Sequence, residues 1–257
     1  MEFPLTSIHP NAKIGKGTTV EPFTVIHDNT VIGENCWIGS NVSIMNGARI
    51  GNNVRIFPGA VISAVPQDLK FDGEETTAEI GDNTTIRECV TVNRGTKAAG
   101  KTVIGQNCLL MAYVHVAHDC IIGDHCIFAN TVTLAGHVEI GDHTVMGGFS
   151  GCHQFVKVGK HVMIRSGALV MKDVPPFITA GREPVVYLGL NTTGLKRRGF
   201  TAEKIDLITD MYRTLYLSGN NTSQAVPIIE EKFEANEERA ELLNFIKNAD
   251  RGIIRAK

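Results

Sequence analysis

The 257-residue chain lacks an excess of charge of either sign, because 25 Lys and Arg residues face 27 Asp and Glu residues. Nucleic acids and anionic membranes are held mainly by excess Lys and Arg, so this balance argues against both partners. No uninterrupted apolar run reaches about 18 residues, and we therefore expect no membrane span. The start, Met-Glu-Phe-Pro-Leu-Thr, has neither the basic nor the apolar segment of a secretory signal. We therefore expect a cytoplasmic protein.

The chain also lacks a C-x-x-C pair, although it has six cysteines. In a reducing compartment such cysteines are expected to be free thiols, neither paired nor bound to metal. Hydrophobic residues make up 43% of the chain, and 26 glycines add to them. This composition is sufficient for a buried core and excludes a disordered chain.

What the sequence does have is a period of six residues. Aliphatic side chains recur at every sixth position from Ile8 to Ile62, and the same phase resumes over 80–92 and 104–170. A small or β-branched residue stands four positions after most of them, and four of the six cysteines occupy these positions. Gly, Asn or Asp often follows the aliphatic residue, as in Ile80-Gly81-Asp82-Asn83, which indicates a corner.

An α-helix has a period near 3.6 and an ordinary strand a period of two, so neither yields a strict six. The period predicts a solenoid in which each hexapeptide is a short strand and a turn, and three hexapeptides close one triangular coil. Successive coils would pair at about 4.8 Å, the usual spacing of strands. The alternative, a β-sandwich, would need alternating hairpins and longer loops.

The repeat is interrupted near 63–79 and 93–102, and loops that leave a solenoid are common binding elements. It stops at Asp173-Val174-Pro175-Pro176, where consecutive prolines cannot continue a hydrogen-bonded ladder. Helical patterns follow, and their apolar positions are Ile205, Ile208, Tyr212 and Leu215 in one helix and Leu242, Leu243, Phe245 and Ile246 in a later one. We predict a mainly β protein with a hexapeptide-repeat domain over 1–176 and a C-terminal α-helical domain over 177–257. The helices are expected to cover the open edge of the last coil.

Histidines gather in one part of this repeat. With 18 residues in each coil, His118, Gly136 and Gln154 fall in one column. His137 and His153 flank this column, and His115 lies three residues before His118, all within roughly 10 Å along the axis. Histidine can accept a proton near neutral pH, and the Gly136 N–H could donate to an oxyanion.

The sequence does not show whether Asp119 touches His118, because adjacent residues on a strand face opposite ways. We interpret the remaining histidines as solvated corner residues; they are His9, His27, His125, His143 and His161.

The repeat resembles that of the hexapeptide-repeat acyltransferases, and this resemblance implies a left-handed parallel β-helix. Nine segments, in order along the whole chain, are similar to the UDP-N-acetylglucosamine acyltransferase family that begins lipid A synthesis. They are Gln67-Asp68-Leu69-Lys70, Gly73-Glu74, Ile86-Arg87-Glu88, Arg94-Gly95-Thr96, His115-Val116-Ala117-His118-Asp119-Cys120, Leu134-Ala135-Gly136-His137, His153-Gln154-Phe155, Asp173-Val174-Pro175-Pro176 and Gly194-Leu195-Lys196-Arg197-Arg198-Gly199-Phe200.

The resemblance implies transfer of a 3-hydroxyacyl chain from acyl carrier protein to the 3-hydroxyl of UDP-N-acetylglucosamine. It implies a homotrimer with active sites between neighbouring prisms, and no cofactor besides the phosphopantetheine of the carrier protein. His118 would be the general base and Gly136 the oxyanion donor. Substrate-binding residues implied in the same way are Asp68, Lys70, His115, His137 and Gln154 for the sugar and pyrophosphate, and Asn191, Arg197 and Arg198 for the nucleotide and phosphopantetheine.

The chain departs from the family pattern in three places. Thr193 stands where the family has a glutamate before the basic run, and Gly181-Arg182-Glu183-Pro184 replaces a familiar histidine. Arg165-Ser166 stands where well-known members carry a Gly-Gly pair that limits acyl length. The sequence therefore does not predict the length of the acyl chain.

Three alternatives remain open from the sequence. A related sugar N-acyltransferase or acetyltransferase would share the fold. A zinc-dependent carbonic anhydrase would need three imidazoles from two subunits at about 2.0–2.1 Å from the ion, and the spacing His115-x-x-His118 does not match that family, so we predict no metal. A non-catalytic scaffold would leave the histidine column without a role.

Overall fold

The computed structural model describes residues 3–256, which form 27 short strands followed by four helices. The strands belong to three sheets. The first sheet contains β1 (Ser7–Ile8), β4 (Val25–Ile26), β7 (Ser43–Ile44), β10 (Val61–Ala64), β13 (Thr91–Asn93), β16 (His115–Val116), β19 (Thr133–Leu134), β22 (Gly151–Cys152) and β25 (Leu169–Val170).

The second sheet contains β2 (Lys13–Ile14), β5 (Val31–Ile32), β8 (Ala48–Ile50), β11 (Thr77–Ile80), β14 (Lys101–Ile104), β17 (Ile121–Ile122), β20 (Glu139–Ile140) and β23 (Lys157–Val158). The third contains β3 (Thr19–Val20), β6 (Trp37–Ile38), β9 (Arg55–Ile56), β12 (Thr85–Ile86), β15 (Leu109–Leu110), β18 (Ile127–Phe128), β21 (Val145–Met146), β24 (Met163–Ile164), β26 (Ile178–Gly181) and β27 (Val186–Leu190).

Each coil pairs in register with the next, which lies 18 residues further along the chain except where a loop intervenes, as between Val61 and Thr91. His115 lies opposite Thr133 in the first sheet, and Ile121 lies opposite Glu139 in the second. Every pairing is parallel except that of β26 with β27. The chain is therefore a parallel β-helix of three hexapeptides per coil, as the period of six predicted, and it has the left-handed winding that the family resemblance implied.

The aliphatic position of each hexapeptide points into the prism. Ile38, Ile62, Leu110 and Leu134 are completely buried there. Burying such side chains contributes roughly 1.5–3 kcal/mol each, which stabilises strands of only two residues. All six cysteines are free thiols, and only Cys89 is exposed.

The corners contain the glycine and asparagine residues that the sequence indicated, but these two residue types have different roles there. In Ile80-Gly81-Asp82-Asn83 the left-handed residue is Asn83, with φ of 59°, three positions after the aliphatic residue. Gly81 serves a different purpose, since a Cβ there would lie 2.6 Å from the Gln106 nitrogen of the next coil. Glycine at this position allows two coils to approach, and asparagine tolerates the left-handed turn.

The two interruptions are loops over 65–76 and 94–100, which we call the first and second loop. They are slightly shorter than the predicted 63–79 and 93–102, because the flanking strands extend into them. Ala64 lies opposite Asn93, and Thr77 lies opposite Lys101. The loops therefore leave the prism side by side.

Beyond the prolines the third sheet continues through β26, and β27 returns antiparallel to it. This hairpin, rather than a helix, covers the edge of the third sheet. The helices are α1 (Thr192–Arg197), α2 (Ala202–Tyr216), α3 (Thr222–Lys232) and α4 (Glu237–Lys247). Helix α2 buries the predicted apolar face, and its Tyr212 hydroxyl donates to the Pro176 carbonyl at 2.6 Å. The domain division at 176 stays a prediction.

The helices of the described region fall short of what a bilayer crossing requires in length and apolar character.

Candidate active site

The candidate site lies at the corner between the first and second sheets, which we call the histidine corner. Its left-handed residues in three successive coils are Asp119, His137 and Phe155, with φ of 60°, 61° and 64°. The coils are joined there by bonds from the His137 N–H to the His118 carbonyl and from the Phe155 N–H to the Gly136 carbonyl, at 3.0 and 3.1 Å. His118, Gly136 and Gln154 thus stack in adjacent coils as the 18-residue period predicted.

His118 and Asp119 form a hydrogen-bonded pair, with His118 Nδ1 2.8 Å from Asp119 Oδ2. Both side chains are buried, with 9% and 0% of their surface exposed. Sequence reasoning missed this contact because it treated the two residues as part of a strand. The left-handed φ of Asp119 breaks the strand alternation and turns its side chain toward the imidazole. The position of Asp119 at a corner of the repeat is the sequence feature that could have predicted this contact.

The Asp119 carboxylate also accepts two bonds from the second loop. The Thr96 N–H donates to Oδ1 at 2.9 Å, and the Thr96 hydroxyl donates to Oδ2 at 2.7 Å. Burial raises the pKa of Asp119, but the hydrogen bonds from His118 and Thr96 outweigh it and hold the pKa below its ordinary value. An ionised Asp119 keeps the proton on His118 Nδ1, so Nε2 presents a lone pair.

Gly136 lies directly against the His118 ring. A Cβ at Gly136 would lie 2.6 Å from Cε1 and 2.7 Å from Nε2 of His118. Any side chain would therefore displace the imidazole. Among the hydrogen bonds of residues 3–256, the Gly136 N–H donates to no carbonyl or side chain, so it can bind an external acceptor.

His137 forms the opposite wall of the corner. Its Nε2 lies 3.5 Å from Asp119 Oδ2, and its ring stands perpendicular to that of His118 with centroids 5.2 Å apart. Phe155 stacks on His137 with ring centroids 4.5 Å apart. This stacking restricts rotation of the imidazole, while Gln154 stays partly exposed beside it.

His115 lies on β16, just before the corner. The Thr91 hydroxyl is 2.7 Å from its Nδ1. Burial lowers the pKa of His115, which favours the neutral imidazole at pH 7.

Asp68 and Lys70 lie on the first loop. Asp68 Oδ1 accepts the Lys70 N–H at 3.0 Å, and the Lys70 side chain is exposed. Glu74 joins this loop to the second, because its Oε1 accepts the Lys97 N–H at 2.9 Å. The first loop is thereby connected, through the second, to Asp119.

Asn191, Arg197 and Arg198 lie at a different corner of the same chain, between the second and third sheets. The Asn191 side chain donates to the His161 carbonyl at 2.9 Å. The rings of His125, His143 and His161 stack along this corner, which we call the second corner, with centroids 4.7 and 4.9 Å apart. One chain alone does not bring these three predicted residues to His118.

The interpretation of His161 as a solvated corner residue was wrong. Its Nδ1 is buried without a hydrogen-bond partner. Burial, the neighbouring His143 and the Arg198 charge together lower the pKa of His161 to about 4. His161 is therefore neutral at physiological pH.

Ligand atoms of His118, Asp119 and His137 lie within 4.8 Å of one another, a spacing that could hold a metal ion. Two of these residues are bonded to each other, because His118 Nδ1 and Thr96 both donate to Asp119 Oδ2. The set also has two imidazoles, whereas the zinc alternative required three.

Comparison with known proteins identifies the family of this chain. A family model described as UDP N-acetylglucosamine O-acyltransferase, domain 2, matches residues 173–254, and the bacterial transferase hexapeptide model matches 29–64 and 101–136. The acyl-[acyl-carrier-protein]–UDP-N-acetylglucosamine O-acyltransferase of Chlorobaculum parvum is 59% identical over 258 residues, covering 96% of this chain and 97% of that protein. The enzyme of the same name from Thiobacillus denitrificans is 42% identical and covers 98% of both chains.

Solved structures give the same result. The UDP-N-acetylglucosamine acyltransferase of Bacteroides fragilis superposes with a TM-score of 0.97 at 52% identity, covering 99% of this chain and 100% of that one. The Francisella novicida enzyme also gives 0.97, at 41% identity, covering 99% and 94%. Because these likenesses extend over nearly the whole length of both partners, this chain belongs to the UDP-N-acetylglucosamine O-acyltransferase family.

Proposed function

We propose that the protein transfers a 3-hydroxyacyl chain from acyl carrier protein to the 3-hydroxyl of UDP-N-acetylglucosamine, the first step of lipid A biosynthesis. The observation that carries this proposal is the arrangement of His118, paired with a buried Asp119 and lying directly on Gly136, in a member of this family. It places a proton acceptor beside an unoccupied backbone N–H.

His118 Nε2 takes the proton of the sugar 3-hydroxyl while that oxygen attacks the thioester carbonyl carbon. The carbonyl electrons move to oxygen, and the Gly136 N–H donates to the resulting oxyanion. Collapse of this intermediate re-forms the carbonyl and expels the phosphopantetheine thiolate, which recovers the proton from His118. Asp119 stabilises the imidazolium between these two steps.

This reaction needs neither a covalent acyl-enzyme nor an additional cofactor. A thioester is already activated toward attack, so positioning of the two substrates contributes much of the rate. Phosphopantetheine enters with its carrier protein as part of the substrate.

We assign the sugar and pyrophosphate to the histidine corner and its loops, where Asp68, Lys70, His115, His137 and Gln154 lie. We assign the nucleotide and phosphopantetheine to Asn191, Arg197 and Arg198, since guanidinium groups suit phosphate oxygens. These two sets occupy different corners of one prism. We infer a homotrimer in which the second corner of a neighbouring subunit completes each site.

The test is His118→Ala, assayed with UDP-N-acetylglucosamine and 3-hydroxyacyl carrier protein. We expect kcat to fall about 10²–10⁴-fold or more while the melting temperature is retained, because the base is lost. His27→Ala, at a corner of an early coil, is the matched control and should keep full activity. Near-normal turnover of His118→Ala would contradict the assignment of the base.

The same assay separates the alternatives. Product formed with an amino-sugar acceptor, but not with UDP-N-acetylglucosamine, would favour a related N-acyltransferase. Product formed with acetyl-CoA as the donor, but not with acyl carrier protein, would favour an acetyltransferase. Mass spectrometry of products from a mixture of acyl carrier thioesters would give the acyl length that Arg165-Ser166 leaves unpredicted. The cytoplasmic location stays a prediction.

A further inference from the structure

Thr96 is a buried residue of the second loop, where its hydroxyl accepts the Ala98 N–H at 3.2 Å and its carbonyl accepts the Gly100 N–H at 2.7 Å. Its other two hydrogen bonds go to Asp119. It is 5% exposed and stands 23 residues before Asp119, in a different coil. Its N–H donates to Oδ1 and its hydroxyl to Oδ2, at 2.9 and 2.7 Å. Both carboxylate oxygens are therefore held from the same side.

The hydroxyl bond reaches the oxygen that matters for catalysis. Asp119 Oδ2 accepts the Thr96 hydroxyl and also lies 2.8 Å from His118 Nδ1. Without the hydroxyl, the second loop would hold the carboxylate only through the Thr96 N–H to Oδ1, and the carboxylate could turn about its Cβ–Cγ bond together with the His118 ring bonded to it. A turn of the carboxylate would tilt the imidazole and move Nε2 away from the acceptor hydroxyl.

Thr96 also stands where the two loops meet. The next residue, Lys97, donates its N–H to Glu74 of the first loop, and the Thr76 hydroxyl donates to the Gly95 carbonyl. Asp68 and Lys70 belong to that first loop. The two residues that flank Thr96 thus fix the second loop against the loop proposed to bind substrate, while Thr96 itself contacts Asp119.

We propose that Thr96 is a positioning residue whose hydroxyl holds the Asp119 carboxylate in the orientation that aims His118 at the sugar hydroxyl. This inference rests on the proposed role of His118 as the base. Thr96 itself touches no reacting atom, because its hydroxyl is engaged by Asp119.

The test compares Thr96→Val, which keeps the shape and the backbone N–H but removes the hydroxyl, with Thr96→Ser, which restores the hydroxyl. We expect Thr96→Val to lower kcat about 10- to 100-fold, the effect of a small displacement of a catalytic group. The KM for UDP-N-acetylglucosamine should stay within about twofold, since Thr96→Val keeps the bonds of the Gly95 carbonyl and the Lys97 N–H to the first loop. Thr96→Ser should recover most of kcat.

Thr84→Val is the matched control for general destabilisation. Thr84 is another buried threonine whose hydroxyl donates to a carbonyl, that of Gly105, away from the histidine corner. Its loss should lower the melting temperature and leave kcat unchanged. In addition, the Nδ1 proton resonance of His118 in the substrate-free protein should move in Thr96→Val and return in Thr96→Ser.

Wild-type kcat in Thr96→Val would overturn the proposal, as would an equal loss in the valine and serine variants or a rise in KM alone. Failure of the proposed function is recognised separately, because then the wild-type protein itself forms no acylated product. The resonance of His118 reports on the Thr96 contact in either case.

Discussion

At the residue scale, the candidate site depends on one position that has no side chain. Gly136 allows the His118 ring to lie on the backbone of the next coil, and a Cβ would come within 2.7 Å of Nε2. That contact places the proton acceptor and the proposed oxyanion donor next to each other. In the proposed reaction the base acts on the attacking hydroxyl and the N–H acts on the carbonyl under attack, so the two groups must be this close, and stacked coils suit the chemistry.

We expect Gly136→Ala to lower kcat about 10²-fold or more, because the methyl group displaces the base from its position. Steady-state kinetics and thermal unfolding of the same preparation measure the two effects separately. Gly148→Ala is the control, since a Cβ there meets nothing closer than the Asn130 carbonyl at 3.3 Å. A Gly136→Ala enzyme as active as this control would show that the contact is not needed.

At the element scale, the left-handed residues of successive coils form a column at a corner, and at the second corner their side chains contact one another. At the second corner the rings of His125, His143 and His161 stack nearly in parallel, with interplanar angles of 7° and 11°. Phe177 continues the column beyond His161 at 5.8 Å. Such a column is favourable only while its imidazoles are neutral, because protonated neighbours would repel.

This column predicts that the prism loses stability in acid. The folded pKa of His161 is about 4, below the ordinary 6.5, so between these values the unfolded chain binds a proton that the folded chain does not. Stability therefore falls as pH decreases from about 6.5 to 4. Thermal unfolding measured across this range should show a falling melting temperature. Each kcal/mol of lost stability lowers the melting temperature by roughly 2–4 °C in a chain of this size.

His161→Phe tests the cause, because it keeps a ring in the stack and removes the titrating group. The melting temperature of this variant should decrease less than that of the wild type between pH 6.5 and 4. Equal slopes for the two proteins would assign the acid sensitivity to other groups.

At the scale of the whole molecule, the predicted binding residues are divided between two corners. His118 and its partners occupy one corner, while Asn191 donates to the His161 carbonyl at another. A cleft between two prisms can join these corners, and closed symmetry then repeats the site at every interface. The trimer proposed above satisfies this requirement.

Sedimentation should give about three times the 27.9 kDa mass of one chain. Coexpression of His118→Ala with Arg198→Ala tests the shared site, since each variant alone is inactive or strongly impaired. Random assembly of equal amounts would restore about a quarter of wild-type activity, because one interface in each mixed trimer carries both intact residues. A monomer, or no recovery on mixing, would contradict the proposal.

Much of the molecule follows from the order of its residues alone. The step of six from Ile8 to Ile62 predicted the triangular coil, because that winding turns every sixth side chain toward the core, and from Val20 onward these side chains are buried. The same arithmetic stacked His118 and Gly136, since each coil repeats after 18 residues. Coil geometry is local and repetitive, so a periodic pattern is sufficient to specify it.

The tertiary structure alone decided which side chains meet. Asp119 turns to His118 through a left-handed backbone, and Thr96 reaches Asp119 from a loop without periodicity. The same applies to Arg198, whose charge acts on His161 because the C-terminal segment folds back against the second corner. A period places residues along an axis, but the direction of a corner side chain and the path of a loop depend on packing between distant parts of the chain.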